Sequence, residues 1–332
     1  MSSLPISVIV TAHDRKQYLL EAIDSINKQT LSKEKFEVII IKNYSDKTID
    51  TFSQRFGYKN IVMGGTIGEK VAVGIRESKG FIITFLQDDD LFLPNRLEYI
   101  YTTFSQDCNI KYFHNGFSII DEKSKQKQSR FYFVQPTRDY LLKVQCDKKH
   151  SILSKMLKRG LDFNLSSMAV SDSILKENLN VISNSMYSID SIILLVSLAR
   201  DNGILLSKKI LTMYRFHESV STQLSDYSIF LDNRFQYWYN VETELMSLRK
   251  ITTDICYLPI LEYKLAVAKM FKFSFSYGGR RKLIWSIIGI IKSSIRLRQT
   301  LPFFTLTVGM VSFLFGGFPR ILYKGYRVRY GL

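Results

Sequence analysis

Short β-branched runs alternate with stretches of helical periodicity through the first 90 residues, and few architectures accommodate that alternation. Four runs read as strands: Ile6 to Thr11, Phe36 to Ile41, Asn60 to Met63 and Phe81 to Leu86. Three of them are almost entirely apolar, as strands covered on both faces must be. Between the first two, Leu19, Ala22, Ile23 and Ile26 recur at helical spacing and predict a crossover helix, whereas the next crossover is polar. Gly68 to Ser78 reads as a further helix with Val71, Ala72 and Ile75 inward, released at Gly80 into the next strand. The expectation is an α/β fold with a mostly parallel central sheet flanked by helices.

Further along, residues 111 to 121 and 131 to 134 read as strands around an exposed turn, Glu122 to Arg130. A helix is expected after Ser188, through Ile192, Leu195, Val196 and Ala199 to a C-cap at Gly203. From about residue 227 the alternation gives way to long aromatic and aliphatic helical patterns. At 332 residues the chain exceeds one compact core, so the expected division is a first domain, 1–226, and a helical region, 227–332. With 46% hydrophobic residues and six prolines the chain folds rather than staying disordered.

Cys108, Cys146 and Cys256 lie far apart, which matches neither a disulfide framework nor a thiolate metal site. The opening Met-Ser-Ser-Leu-Pro shows no basic stretch before an apolar core, so the chain is expected on the cytoplasmic side. The net charge of +16 is unevenly spread: the 70 residues after Glu262 hold 13 Lys or Arg and no acid, leaving 33 basic against 30 acidic residues before them. Nucleic acid is disfavoured as a partner, because those cations sit in an apolar frame.

The sharpest local feature is Gln87-Asp88-Asp89-Asp90, directly after an apolar strand and before Leu91-Phe92-Leu93-Pro94. Adjacent carboxylates repel, and oxygen-only ligands favour hard cations such as Mg²⁺ or Mn²⁺. Ligands of open α/β sheets bind beyond the carboxyl ends of the strands, where this cluster falls. Alternatively the aspartates form a solvated turn that caps a helix beginning near Pro94.

The segment Ile6 to Arg15 with Tyr18-Leu19, Ala22-Ile23 and Ser25 resembles the opening of the family 2 glycosyltransferases. Phe36 to Ile41 with Asn43 and Ser45-Asp46, Gly68 to Gly80, and Phe85 to Asp90 with Pro94 and Leu97 follow in that family's order. The resemblance implies a GT-A fold, a nucleotide-diphosphate sugar donor, a divalent metal at a D-x-D motif, and hexosyl transfer with inversion. It implies that Thr11, Ala12, His13 and Arg15 line the nucleotide pocket, joined by Asn43, and that Lys70 stands near the diphosphate. Asp89 and Asp90 would hold the metal with His217 of Tyr214-Arg215-Phe216-His217, and Asp88 the ribose or the metal. Ser166, Ser167 and Met168 match a loop bordering the acceptor.

Inverting transfer needs a base for the acceptor hydroxyl. Asp190 is the candidate, with Asp162 and Asp172 as competitors; Ile189 stands where the family usually has a Glu. A second departure is Lys42, where the family usually has an aspartate reading the base. An ammonium cannot accept a base N–H, so the donor nucleotide stays open.

In the C-terminal region, Ile284, Ile287, Ile288, Ile291 and Ile295 recur on one helical face beside Arg280, Arg281, Lys282, Lys292, Arg296 and Arg298, a pattern suited to a membrane interface. Leu301 to Phe318 is 18 residues without a charge, roughly 27 Å as a helix and marginal for a span. Basic flanks on both sides favour attachment within 280–332, peripheral or monotopic on the cytoplasmic face, over crossing. The resulting expectation is a glycosyltransferase acting on a lipid-linked or surface-glycan acceptor. The alternatives are a polyprenyl-phosphate sugar synthase and a non-catalytic nucleotide-sugar or glycan-binding protein.

Overall fold

A computed structural model describes residues 5–14, 16–127, 136–145, 150–157, 159–199, 201–216, 227–251, 258–276, 279–297, 302–320 and 322–324. The chain divides into two compact units, one of Met1–Gln145 with Met156–Phe216, the other of Cys146–Lys155 with His217–Leu332.

The first unit opens as the hydrophobic pattern predicts. β1 (Ile6–Ala12) leads through α1 (Lys16–Asn27) to β2 (Phe36–Lys42), then through α2 (Lys47–Arg55) to β3 (Lys59–Val62). α3 (Ile67–Glu77) follows and returns the chain to β4 (Ile82–Gln87). β1 pairs in parallel with β2 and β4, and β2 with β3. Leu19, Ala22, Ile23 and Ile26 of α1 pack beneath the sheet with Val8, Val10, Val38 and Ile40. Each such side chain withdrawn from water contributes about 1.5–3 kcal/mol, so this core outweighs any local propensity in setting the topology. The polar crossover is a helix because Asp46 caps it, accepting from Thr48 N and Ile49 N, and because Ile49 is buried.

Beyond β4 come β5 (Leu91–Phe92), α4 (Arg96–Gln106), β6 (Ile110–Ile120), β7 (Gln126–Lys127) and β8 (Tyr140–Lys143), whereas α5 (His150–Leu157) falls mostly in the second unit. β9 (Met168–Ser171), α6 (Asp172–Glu177), α7 (Leu179–Ser183), α8 (Ile189–Ser197) and β10 (Gly203–Arg215) complete the unit. The sheet order is β3-β2-β1-β4-β9-β6-β10-β5, with β7 on β6 and β8 on β10. β9 runs antiparallel to both β4 and β6, so the sheet is parallel in its first half and mixed in its second. Gly203 is not a helix cap: α8 ends at Ser197 and Gly203 opens β10, where an added Cβ would lie 2.7 Å from Asn109 O. The expected strand at 131–134 lies outside the described residues.

The second unit carries α9 (Tyr227–Ile251), α10 (Leu258–Ser274), α11 (Arg280–Arg296) and α12 (Phe303–Phe315). Trp238 stacks on Phe271 at 4.7 Å, and Phe230, Phe275, Val308 and Phe318 form one cluster. The buried side of α11 is Leu283, Ser286, Ile290 and Ser294. It is not the predicted isoleucine stripe, of which Ile284 and Ile295 are exposed. α12 stops after 13 residues at Gly316, whose left-handed φ of 72° ends the helix. Among the described residues no helix is long and apolar enough to cross a membrane.

Candidate active site

The register of β1 against β4 sets Thr11 opposite Gln87, so the residues just beyond both strands meet. Asp88 N donates to Thr11 O at 3.1 Å and His13 N to Asp88 Oδ2 at 2.9 Å. From the far side, α3 delivers Lys70, whose Nζ donates to Ala12 O at 2.9 Å and lies 3.0 Å from His13 Nδ1. A cleft of about 510 Å³ opens here, lined by Thr11, Ala12, His13, Lys70 and Asp88 together with Gly65, Thr66, Ile67, Gln87 and Met186.

Lys70 is 1% exposed, and burial lowers its pKa while Asp88 and Asp14 act to raise it. Burial thus disfavours the ammonium, and an anionic ligand beside it would favour the charged form. On the other side of the ring, His13 Nε2 lies 3.4 Å from Asp14 Oδ2. Asp14 has a left-handed φ of 59° and is held by Asn43: Asn43 Nδ2 donates to Asp14 Oδ1 at 2.8 Å, and Asp14 N to Asn43 Oδ1 at 3.1 Å. Asn43 does not line the cleft; it shapes the loop that does. Lys42 is fully buried, 2.8 Å from Asp50 Oδ1, and does not line the cleft either.

α3 begins at the cleft floor. Thr66 and Glu69 form a capping box, with Thr66 N donating to Glu69 Oε2 at 2.7 Å and Glu69 N to Thr66 Oγ1 at 3.2 Å. Gly68 N donates to Ser185 O at 3.0 Å, and a Cβ there would fall 2.3 Å from both Ile182 O and Ser185 O. Only glycine lets the 182–185 segment approach this closely, which brings Met186 to the cleft. The Thr-x-x-Glu signature was readable in the sequence; Met186 carried no signal.

The acidic turn is held from behind. Asp90 is fully buried: Oδ2 accepts from Ser166 Oγ at 2.6 Å and Oδ1 from Arg215 N at 2.9 Å. Burial and the neighbouring Asp89 charge hold its pKa well above the usual carboxylate range, against those two hydrogen bonds. Arg215 Nε donates to Asp89 O at 2.8 Å, its Nη1 to Asp121 O at 2.9 Å, and its Nη2 to Glu21 Oε2 at 2.7 Å. The guanidinium lies 4.4 Å from the Tyr18 ring centroid. Arg215 was read only as part of a motif; its fork braces the turn.

Asp190 opens α8 and its Oδ2 accepts from Asn164 N at 3.1 Å. Asp162 Oδ2 lies 3.5 Å from Ser191 Oγ, and both aspartates raise the pKa of buried Tyr112, after burial itself. Asp172 is instead ion-paired with Lys176 at 3.0 Å on α6. Arg15 and His217 lie outside the described residues. Among the described residues no three His, Cys, Asp or Glu side chains are grouped to hold a metal by themselves.

The architecture matches known proteins. Staphylococcus aureus TarS 1–349, solved in complex with UDP-GlcNAc, superposes with a TM-score of 0.56 at 15% identity over 94% of this chain and 89% of that one. The mannosyltransferase PcManGT of Pyrobaculum calidifontis, in complex with GDP-Man and Mn²⁺, does so with a TM-score of 0.52 at 11% identity, covering 93% and 86%. These likenesses establish a GT-A fold. An uncharacterized glycosyltransferase of Rickettsia typhi is 29% identical over 139 residues, 41% of this chain and 42% of the relative. Another, from Haemophilus influenzae, is 31% identical over 114 residues, 33% of this chain and 38% of the relative. The matched stretches thus span less than half of these curated relatives. The model of glycosyl transferase family 2 matches residues 7–177, which takes in nearly all of β1, every cleft-lining residue but Met186, the acidic turn and β9. The chain belongs to glycosyl transferase family 2.

Proposed function

We propose that this chain moves a hexosyl group from a nucleoside-diphosphate donor to an acceptor hydroxyl with inversion, assisted by a divalent ion. The observation that carries the reading is the cleft at the ends of β1 and β4, lined by both the buried Lys70 ammonium and the Asp88 carboxylate. Thr11, Ala12 and His13 border the nucleotide in this reading, Lys70 faces the diphosphate, and Asp88 meets the ribose or the ion. The structural neighbours were solved with UDP-GlcNAc and GDP-Man, which supports a nucleotide sugar as donor. Lys42, spent on Asp50, leaves base recognition to the 13–14 loop, so the donor nucleotide stays open.

Mg²⁺ or Mn²⁺ fits the residues present. Asp90 and Asp89 are adjacent carboxyl groups of the kind that hold hard cations, and each Asp90 oxygen keeps a lone pair after its hydrogen bond. One or two carboxylates with diphosphate oxygens and water is how Mg²⁺ is commonly bound. Asp89 and Asp90 would hold the ion, with His217 as a further ligand. Such an ion supplies positive charge to the departing diphosphate. Asp190 is the proposed base for the acceptor hydroxyl, its carboxylate oriented by Asn164 N.

The acceptor is proposed to be lipid-linked or a surface glycan, met at the cytoplasmic face of a membrane. Exposed Phe303, Met310 and Leu314 recur on one side of α12, and Trp285, Ile284 and Ile295 stand out from α11. The exposed cations Arg280, Arg281, Lys282, Lys292 and Arg296 accompany them. Apolar and basic groups on one unit suit an anionic bilayer surface.

The reading is tested with a panel of UDP- and GDP-sugars, with and without Mn²⁺. At least one donor should raise the melting temperature only with metal and be turned over, and Asp89→Ala should lower that turnover about a hundredfold or more. Binding without any turnover would instead favour a nucleotide-sugar binding protein. Full activity of Asp190→Asn would remove the base and favour a phosphate acceptor, as in a polyprenyl-phosphate sugar synthase.

A further inference from the structure

The two carboxylates placed at opposite ends of the proposed reaction, Asp90 and Asp190, are tied together through three consecutive residues. Asn164 N donates to Asp190 Oδ2 at 3.1 Å, and Asn164 Oδ1 accepts from Ser166 N at 2.9 Å. Ser166 Oγ donates to Asp90 Oδ2 at 2.6 Å while accepting from Gln87 N at 3.0 Å. Ser166 O accepts from Thr212 Oγ1 at 3.3 Å, and Ser167 N closes a turn on Asn164 O at 2.9 Å. Asn164, Ser166 and Asp90 are each at most 2% exposed, so water does not compete for these bonds.

Asn164 holds φ at 73°, a region that side chains other than Asn and Asp rarely enter. Its amide reaches Asp190 while its side chain folds over the next turn as an Asx-turn. The segment is therefore pinned at both ends, to α8 through Asp190 and to the acidic turn through Ser166.

We propose that residues 164–166 form a rigid spacer fixing the Asp190 carboxylate relative to the acidic turn, with Asn164 as its positioning residue. The inference rests on the reading of Asp190 as the base. Its physical basis is that a misplaced base costs rate rather than affinity. Asn164 does not line the cleft, so nucleotide binding should not depend on it.

The test uses the full chain, with UDP and Mn²⁺ as the binding probe and the turned-over donor for rates. Asn164→Ala, whose Cβ strains a positive φ and which lacks the side-chain acceptor, should lower kcat about tenfold to a hundredfold, with UDP affinity within about twofold of wild type. Asn164→Gly keeps the N–H and tolerates the φ, and should recover most of that rate. In an Asp190→Asn background, Asn164→Ala should cost no further rate. Equal slowing by Ala and Gly, no slowing by either, or loss of UDP affinity in step with rate would overturn the proposal. Hydrogen exchange separates it from the base assignment: the peptide spanning 161–168 should exchange about tenfold faster in Asp190→Ala. Unchanged exchange sinks the spacer alone. Wild-type kcat in Asp190→Asn sinks the base assignment and the catalytic consequence with it.

Discussion

His114 on β6 is 1% exposed, with Nε2 at 2.7 Å from Phe163 O. Burial pushes its pKa down to about 4, against the pull of Phe163 O and Asp162. The folded protein therefore holds the imidazole neutral across a range in which the unfolded chain, titrating near 6.5, takes up a proton. This stability is fully present above about pH 6.5 and is lost as pH falls toward 4. Between pH 7 and pH 5 the loss should be about 2 kcal/mol. Urea unfolding of the wild type should show it, and His114→Gln, which keeps a donor for Phe163 O but does not titrate, should lose less over that interval. An equal pH slope in both proteins would show that His114 is not the group responsible. A different solution appears at Arg96, fully buried with its pKa lowered to about 9 by burial. It donates to Asn115 Oδ1, Thr84 Oγ1 and Met168 O and lies 4.0 Å from the Phe92 ring centroid. None of these hydrogen bonds could be read from the residues alone, since each partner lies 12 or more residues away in the chain.

At the level of elements, α3 determines the cleft floor, and its first turn depends on two kinds of physics. Its start is local: the Thr66–Glu69 capping box satisfies two backbone donors, and Thr66→Ala should cost about 1 kcal/mol with the cleft intact. Its packing is not local. Gly68→Ala would force a methyl to within 2.3 Å of two carbonyl oxygens, so the 182–185 segment must move and Met186 with it. Thermal melts and nucleotide titrations should separate the two, with Gly68→Ala losing about 2 kcal/mol or more and weakening donor binding strongly, and Thr66→Ala, a smaller change at the cleft wall, acting mainly on stability. The same division governs what could be read in advance. β1, β2, β4, α1 and α3 follow from periodicity because both faces of that sheet are covered. β9 and β10 escaped as strands, because their pairing with β4 and β6 is set by neighbours far away in sequence.

At the scale of the whole molecule, the proposed membrane contact is the feature most open to direct test. The full chain should sediment with phosphatidylglycerol-containing vesicles more strongly than with phosphatidylcholine alone, and less so as salt is raised. Combined Phe303→Glu and Leu314→Glu substitutions should weaken binding about tenfold or more, since two exposed apolar anchors are lost without touching the helix core. Binding unaffected by those changes would exclude α12 as the contact. The parallel half of the sheet, the acidic turn at its carboxyl edge and the basic, apolar character of the last 70 residues were legible in the order of amino acids, because periodicity and charge are local properties. That Lys42 pairs with Asp50, that Arg215 and Ser166 brace the acidic turn, and which face of α11 is buried were settled by the three-dimensional fold. Those outcomes depend on which distant groups are brought within hydrogen-bonding distance, and no spacing along the chain encodes that.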